Sequence, residues 1–248
     1  MLKVDSVKKS YKKGGFFSKE RQQVLKNVSF DCRDGECLGI IGESGSGKST
    51  LGRLIIGIEK ADDGIILFEG ENVEGRSVRS GKISAVFQDY TSSINPFFTV
   101  ERAIMEPLKI KKYSQIEIQN KIDILLNQVG LNSSYRKRYP HELSGGEAQR
   151  VCIARAISTE PKCILLDEAI SSLDVSVQIQ VLELLNELKR LYNMSYIFIT
   201  HDIQAAAYIC DRIIIFRDGQ IEEIVKTEQL KDVQSEYAKR LLTMLITL

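Results

Sequence analysis

The chain has 248 residues, 43% hydrophobic and 27% charged, which is enough for one large domain or two lobes around a buried core. Its 34 basic and 33 acidic residues leave a net charge of +1, so electrostatics gives no reason to expect a nucleic-acid or anionic-membrane partner. No stretch approaches the roughly 20 apolar residues of a membrane span, and the start MLKVDSVKKS has no apolar signal core. The five cysteines, Cys32, Cys37, Cys152, Cys163 and Cys210, form no C-x-x-C pair, and the expectation is an unprocessed cytoplasmic chain with buried thiols.

In chain order, the first segments read as strands: LKVDSVKK, VLKNVSFDC, the apolar CLGII, GIILFEG and KISAVFQ. From about Asp89 to Glu160 the strand signal stops and a helical lobe is expected. Within it, Ser114 and Glu117 make a capping box, Ile118, Ile122, Leu125, Leu126 and Val129 fall on one face, and Gly130 ends the helix. A second capping box, Ser144 with Glu147 in LSGGEAQRV, opens another helix whose first N–H groups form a candidate anion site. Strand and helix then alternate through CILLDEA, SVQIQVLELLNELKRLYN and YIFITHD, the pattern of parallel strands with crossover helices. The tail SEYAKRLLTMLITL is amphipathic through Ala238, Leu241, Leu242 and Leu245 and is expected to pack on its own body. There is no internal repeat.

Three motifs carry chemistry. GESGSGKS matches G-x-x-x-x-G-K-[ST] between an apolar strand and a helix-like segment, the context this phosphate loop requires. Gly42, Glu43, Ser44, Gly45, Ser46, Gly47, Lys48, Ser49 and Thr50 would wrap nucleotide phosphates, with Lys48 reaching the β and γ oxygens and Ser49 ligating Mg²⁺. In CILLDEA, Asp167 and Glu168 end a buried strand; consecutive strand residues point apart, so one carboxylate can serve Mg²⁺ while the other polarises a water. His201 ends the strand YIFITHD and is a candidate γ-phosphate contact, against the structural role usual for a lone histidine. Gln88, at the end of KISAVFQ, stands where the helical lobe begins. A glutamine there can touch Mg²⁺ or water, and local sequence leaves its role open.

The ordered set of phosphate loop, VFQD, LSGGE, LLDEA, SSLD and ITHD resembles the nucleotide-binding subunits of ABC transporters over essentially the whole chain. The resemblance implies an α/β P-loop NTPase core of RecA-like type, with an N-terminal antiparallel β region and an inserted α-helical subdomain. It implies one cassette over 1–248, with a catalytic body at 1–88 and 161–225, the helical subdomain at 89–160 and a helical tail at 226–248. It implies ATP and Mg²⁺ as cofactors, Lys48 on phosphate, Glu168 as general base, His201 as the switch histidine, Gln88 as the Q-loop residue, Asp174 as the D-loop aspartate and Ser49, Gln88 and Asp167 around Mg²⁺. Tyr11 stands where the family stacks an aromatic ring on adenine; the alternative is a surface strand tyrosine. Leu143, Ser144, Gly145, Gly146 and Glu147 would contact the nucleotide of an opposite subunit, which answers why one chain has two anion sites. Glu147 replaces the commoner glutamine and Ala169 a common proline, and neither change removes a reacting group.

VFQDYTSSINP, TVERAIMEPL and YPHELSGGEAQRV further resemble importers of peptides and nickel. The resemblance implies a second, non-identical ATPase, two transmembrane permease subunits and, indirectly, an extracytoplasmic binding protein, on the cytoplasmic face of the membrane and without nucleic acid. The end at Leu248 with no cysteine after Cys210, together with LLDEA, favours nickel or a metal chelate over di- or oligopeptides. The rival readings are a soluble non-transport ABC ATPase, a P-loop kinase and a non-hydrolysing binding subunit. The first would need coiled-coil insertions or a tandem cassette, the second has no use for LSGGE, and Glu168 with His201 argues against the third.

Overall fold

The computed structural model describes residues 1–13, 20–75, 78, 81–89, 93–111 and 113–246, the side chains of 244–246 excepted. The chain forms two compact units, one from 1–79 with 195–248 and one from 80–194.

The first unit begins with strands β1 (Leu2–Lys12), β2 (Arg21–Cys32) and β3 (Cys37–Ile41), helix α1 (Lys48–Ile55), and strands β4 (Asp63–Phe68) and β5 (Glu71–Asn72). The second holds β6 (Ile83–Phe87), α2 (Val100–Leu108), α3 (Gln115–Gln128), α4 (Gly145–Ile157), β7 (Cys163–Asp167) and α5 (Val175–Tyr192). The chain then returns to the first unit with β8 (Ser195–Thr200), α6 (Ile203–Ile209), β9 (Arg212–Arg217), β10 (Gln220–Lys226) and α7 (Glu236–Ile246).

In the first unit, β2, β1, β4 and β5 form an antiparallel sheet in that order. Val28, Phe30 and Cys32 of β2 bury alternate positions, as a half-covered strand should. The alternation breaks once, where the partner of β1 shifts from Val28 to Leu25 and Asn27 takes φ 61°, a bulge that asparagine tolerates. The other sheet of this unit pairs β3 parallel to both β8 and β9, with β10 antiparallel on β9. Every residue of β3 and of β8 is buried, which explains why they read as continuous apolar runs. Strands β9 and β10 go beyond those expected from periodicity, although the signal is present: Asp218 and Gly219 have φ of 48° and 78°, the two left-handed residues that a tight hairpin turn needs.

In the second unit β6 and β7 run parallel, and the described residues from 93 to 157 contain helices and turns but no strand. Helix α3 carries the expected capping box at Ser114 and Glu117, and Ile118, Ile122, Leu125 and Leu126 are its buried residues. All five cysteines are buried and none is in a disulfide; burial pushes the Cys152 thiol up to about 12. Among the described residues no helix is long and apolar enough to cross a membrane. In α7, Ala238 is buried while Leu241 and Leu242 are half-buried; the side chain of Leu245 lies outside the described residues, as do Tyr90, Thr91 and Ser92 of VFQDYTSSINP.

One buried ion pair anchors the β3 and β9 end of the first unit. Arg212 Nε donates to Glu36 Oε1 at 2.5 Å, and the Arg33 N–H donates to Glu36 Oε2 at 2.7 Å, with Glu36 6% exposed. Removing one partner leaves the other charge buried and uncompensated, which costs about 3 kcal/mol or more. Arg212→Met is expected to lower stability by about that amount in urea unfolding, and the double change with Glu36→Gln to recover part of it; additive losses would show that the two groups are not coupled.

Candidate functional site

Parallel strands bring loop residues to their carboxyl ends, and both units contain such strands. In the first unit Ile41 of β3 pairs with Thr200 of β8, so Gly42 and His201 leave adjacent strands at the same end. In the second, Phe87 of β6 pairs with Asp167 of β7, so Gln88 and Glu168 do likewise. These pairs are far apart in sequence and share no motif.

The phosphate loop spans the turn from β3 into α1. An added Cβ at Gly42 would sit 2.0 Å from the Phe216 carbonyl oxygen, and Gly47 caps α1 with φ 106°, so neither position accepts a side chain. Lys48, 6% exposed, donates from Nζ to the carbonyls of Gly42 at 2.7 Å and Glu43 at 2.8 Å. The Gly219 N–H takes up the Ser46 carbonyl at 2.9 Å. The carbonyls of Gly42, Glu43 and Ser46 are thereby engaged within the protein. The Ser46 hydroxyl is buried with no protein partner, the kind of orphaned donor that a phosphate oxygen would satisfy. Ser49 and Thr50 lie in the first turn of α1, where N–H groups and the helix dipole favour an anion.

Tyr11 on β1 is half-buried, with Lys9 Nζ 5.5 Å from its ring centroid. Its hydroxyl donates to Glu59 Oε2, Glu59 Oε1 accepts from Arg53 Nε at 2.6 Å, and Arg53 reaches Thr50 Oγ1 at 3.3 Å. A chain of hydrogen bonds therefore links the candidate base platform to the phosphate loop, through two residues that carry no motif. His201 is exposed between two fixed neighbours: Asp202 N–H donates to Thr200 Oγ1 at 3.0 Å, and the Asp202 carboxylate caps α6 through the N–H groups of Gln204 and Ala205.

In the second unit Asp167 is buried as the last residue of β7. Glu168 has already left the strand. Its φ is 51°, a left-handed conformation that costs a non-glycine residue about 1–2 kcal/mol, and its carbonyl accepts from Ser171 N at 3.2 Å and Ser171 Oγ at 2.9 Å. Glu168 therefore stands in a backbone turn rather than in strand alternation with Asp167. Gln88 is exposed just beyond β6, and Asp174 is the exposed residue before α5, with no side-chain cap of its own.

The signature residues follow Leu143 into α4. Ser144 Oγ accepts from Glu147 N at 3.3 Å, and Glu147 Oε2 accepts from Ser144 N at 2.8 Å, the expected reciprocal cap. Tyr135, absent from the sequence reading, donates its hydroxyl to Glu147 Oε1 at 2.5 Å and has Arg138 4.1 Å from its ring centroid. The Tyr135 hydroxyl, then the Ser144 N–H, hold the Glu147 carboxyl below the usual glutamate range. Gly145 opens α4 and Gly146 follows it; a Cβ on Gly146 would lie 2.7 Å from Val177 Cγ1 of α5. Val177 of the same chain is therefore packed against the Gly146 backbone.

A family model described as ABC transporter matches residues 25–171. The metal-staphylopine import system ATP-binding protein CntF of Staphylococcus aureus (strain NCTC 8325 / PS 47) is 49% identical over 243 residues, covering 98% of each chain. The oligopeptide transport ATP-binding protein OppF of Bacillus subtilis (strain 168) is 43% identical over 230 residues, covering 89% of this chain and 75% of the relative. The dimeric post-hydrolysis structure of the ATP-binding cassette MJ0796 bound to ADP and Pi superposes with a TM-score of 0.82 at 31% identity, covering 92% of this chain and 99% of that one.

Two outcomes are expected from this geometry. Gly146→Ala forces an overpacked contact with Val177 and should destabilise the chain by about 1–3 kcal/mol, a loss that Val177→Ala in the same chain should relieve in a double-mutant cycle. The contribution of Glu147 is complete above the ordinary glutamate pKa of about 4.3 and is lost as pH falls through the lowered folded value. Glu147→Gln should therefore flatten the acid limb of the stability profile measured by urea unfolding at a series of pH values.

Proposed function

This chain belongs to the ABC transporter family, and from that premise we propose what its motif residues do. It is an ATP-hydrolysing subunit of an ABC importer. The observation that carries the nucleotide reading is the phosphate loop, in which Lys48 is buried against two carbonyls and the Ser46 hydroxyl is left without a partner. In this reading Tyr11 stacks on adenine, and residues 42–50 hold the phosphates. Glu168 takes the proton of the attacking water, and His201 and Gln88 report the state of the γ-phosphate. The left-handed turn held by Ser171 supports the role of Glu168, since it takes that residue out of the strand that Asp167 ends.

Ser49 in the first unit, and Gln88 and Asp167 in the second, carry hard oxygen donors of the kind that suit Mg²⁺. Held by such donors, the ion would neutralise charge on the phosphates. The Ser144 to Glu147 helix start serves a nucleotide held by a second, non-identical ATPase subunit, and Asp174 lies at that same joint. ATP closes the pair and hydrolysis reopens it, and the motion passes to two permease subunits from the cytoplasmic face. An extracytoplasmic binding protein supplies the cargo.

We further propose that the cargo is a divalent metal, nickel or a related ion, carried as a small chelate. Support comes from 49% identity over 98% of both chains with the metal-staphylopine import protein, against 43% and a longer relative for the oligopeptide one. That second relative keeps peptide import as the alternative. Deleting this chain should lower cellular nickel, cobalt or zinc under metal limitation and leave growth on oligopeptides intact; normal metal content with lost peptide use would favour the alternative.

For the chemistry, Lys48→Ala should weaken ATP binding, because the ammonium acts on ground-state phosphates. Glu168→Gln should keep binding and lower turnover by roughly 10²–10⁴, the contribution of a general base. Equilibrium nucleotide binding and phosphate release, with the partner site disabled, separate the two effects. Undiminished turnover in Glu168→Gln would overturn the assignment.

A further inference from the structure

One peptide unit in the phosphate loop is held from both ends. The carbonyl of Gly42 accepts from Lys48 Nζ at 2.7 Å, and the N–H of the same peptide, that of Glu43, donates to the hydroxyl oxygen of Tyr237 at 3.3 Å. Tyr237 belongs to α7, well outside every nucleotide motif. In a trans peptide the carbonyl and N–H point in opposite directions within the plane, so the ammonium of Lys48 and the phenol of Tyr237 hold opposite edges of one planar unit. The plane adjoins a glycine, whose backbone has the most freedom to rotate. Turning it over would take the carbonyl from Lys48 and present an N–H to the ammonium instead.

Tyr237 is itself fixed. It is 7% exposed, and the guanidinium of Arg217 lies 4.8 Å from its ring centroid. Arg217 is the last residue of β9, next to Phe216, whose carbonyl blocks any side chain at Gly42. Ring, hairpin and loop therefore grip the start of the phosphate loop together. The two hydrogen bonds on the peptide also reinforce each other, since an ammonium on the carbonyl polarises the N–H that Tyr237 accepts. Were Lys48 drawn onto a nucleotide phosphate, the Tyr237 hydroxyl would still hold the Glu43 N–H of this plane.

We propose that Tyr237 is a positioning residue for the phosphate loop, its hydroxyl fixing the Gly42–Glu43 peptide on which Lys48 rests, so that α7 is part of the nucleotide site. The proposal rests on the reading of residues 42–50 as that site.

The test uses the full chain and ATP binding by calorimetry. Tyr237→Phe removes the hydroxyl and keeps the buried ring, so the affinity for ATP should fall by about two- to tenfold, the range for losing one hydrogen bond. Tyr237→Leu, which also removes the ring, should lose ATP affinity to at least the same degree and lower the thermal midpoint of the ligand-free chain. A purely structural role for α7 predicts a different split: Tyr237→Phe would bind ATP as tightly as the unmodified chain, with only Tyr237→Leu affected. That result overturns the proposal. Lys48→Ala measured alongside tells the two levels apart. If it binds ATP as well as the unmodified chain, the reading of the loop itself fails; if it loses binding while Tyr237→Phe does not, only the role of Tyr237 fails.

Discussion

Two backbone contacts with no room for a β-carbon govern the first unit. Gly42, leaving β3, has the Phe216 carbonyl where its side chain would begin, at 2.0 Å, and Gly219, at the tip of the β9–β10 hairpin, has the Val24 carbonyl at 2.1 Å. The hairpin tip is thereby wedged against β2 on one side, where Gly219 O accepts from Lys26 N at 2.8 Å, and against the phosphate loop on the other, where Gly219 N donates to Ser46 O at 2.9 Å. A loop that must bind a polyanion has to expose N–H groups and dispose of its carbonyls. Here the carbonyls are taken up by a lysine inside the loop and by a glycine outside it, which pre-orients the loop before any ligand arrives.

The second unit relies on a different device, strain held in place by local hydrogen bonds. Glu168 sits in a left-handed conformation that its side chain disfavours, and Ser171 closes the turn by bonding twice to its carbonyl. At the signature helix, Glu147 is pulled back by its own cap and by Tyr135. A free carboxylate would otherwise stand at the N-terminus of α4. Tethering it to Ser144 N and the Tyr135 hydroxyl commits that charge to the helix. The Glu168 turn carries a cost in local conformation, whereas the Glu147 tether is an ordinary stabilising cap.

These features also explain why the helix starts differ. Helix α1 is opened by a glycine in a left-handed conformation and has no side-chain cap, leaving its first turn to a ligand. Helices α3 and α4 carry full capping boxes, and α6 is capped by the Asp202 carboxylate. Among the described helices, α4 alone combines a capping box with two glycines in its first turn.

Much of this was written locally in the sequence. The run CLGII followed by GESGSGKS announces a buried strand, a tight turn and a helix, because each of those depends on residues within a few positions of one another. The two capping boxes and the buried face of α3 are legible for the same reason. The hairpin at Asp218 and Gly219 carries an equally local turn signal, yet its strands did not stand out, because β10 alternates on an exposed edge and buries little. What the tertiary structure alone decided are the meetings between distant segments. It set Gly42 beside His201 and Gln88 beside Glu168 on parallel strands, and it placed the Tyr11–Glu59–Arg53 chain, Gly146 against Val177 and Tyr237 on the Glu43 amide. Such contacts depend on strand order and on which helix face is buried, and no spacing along a single chain encodes them.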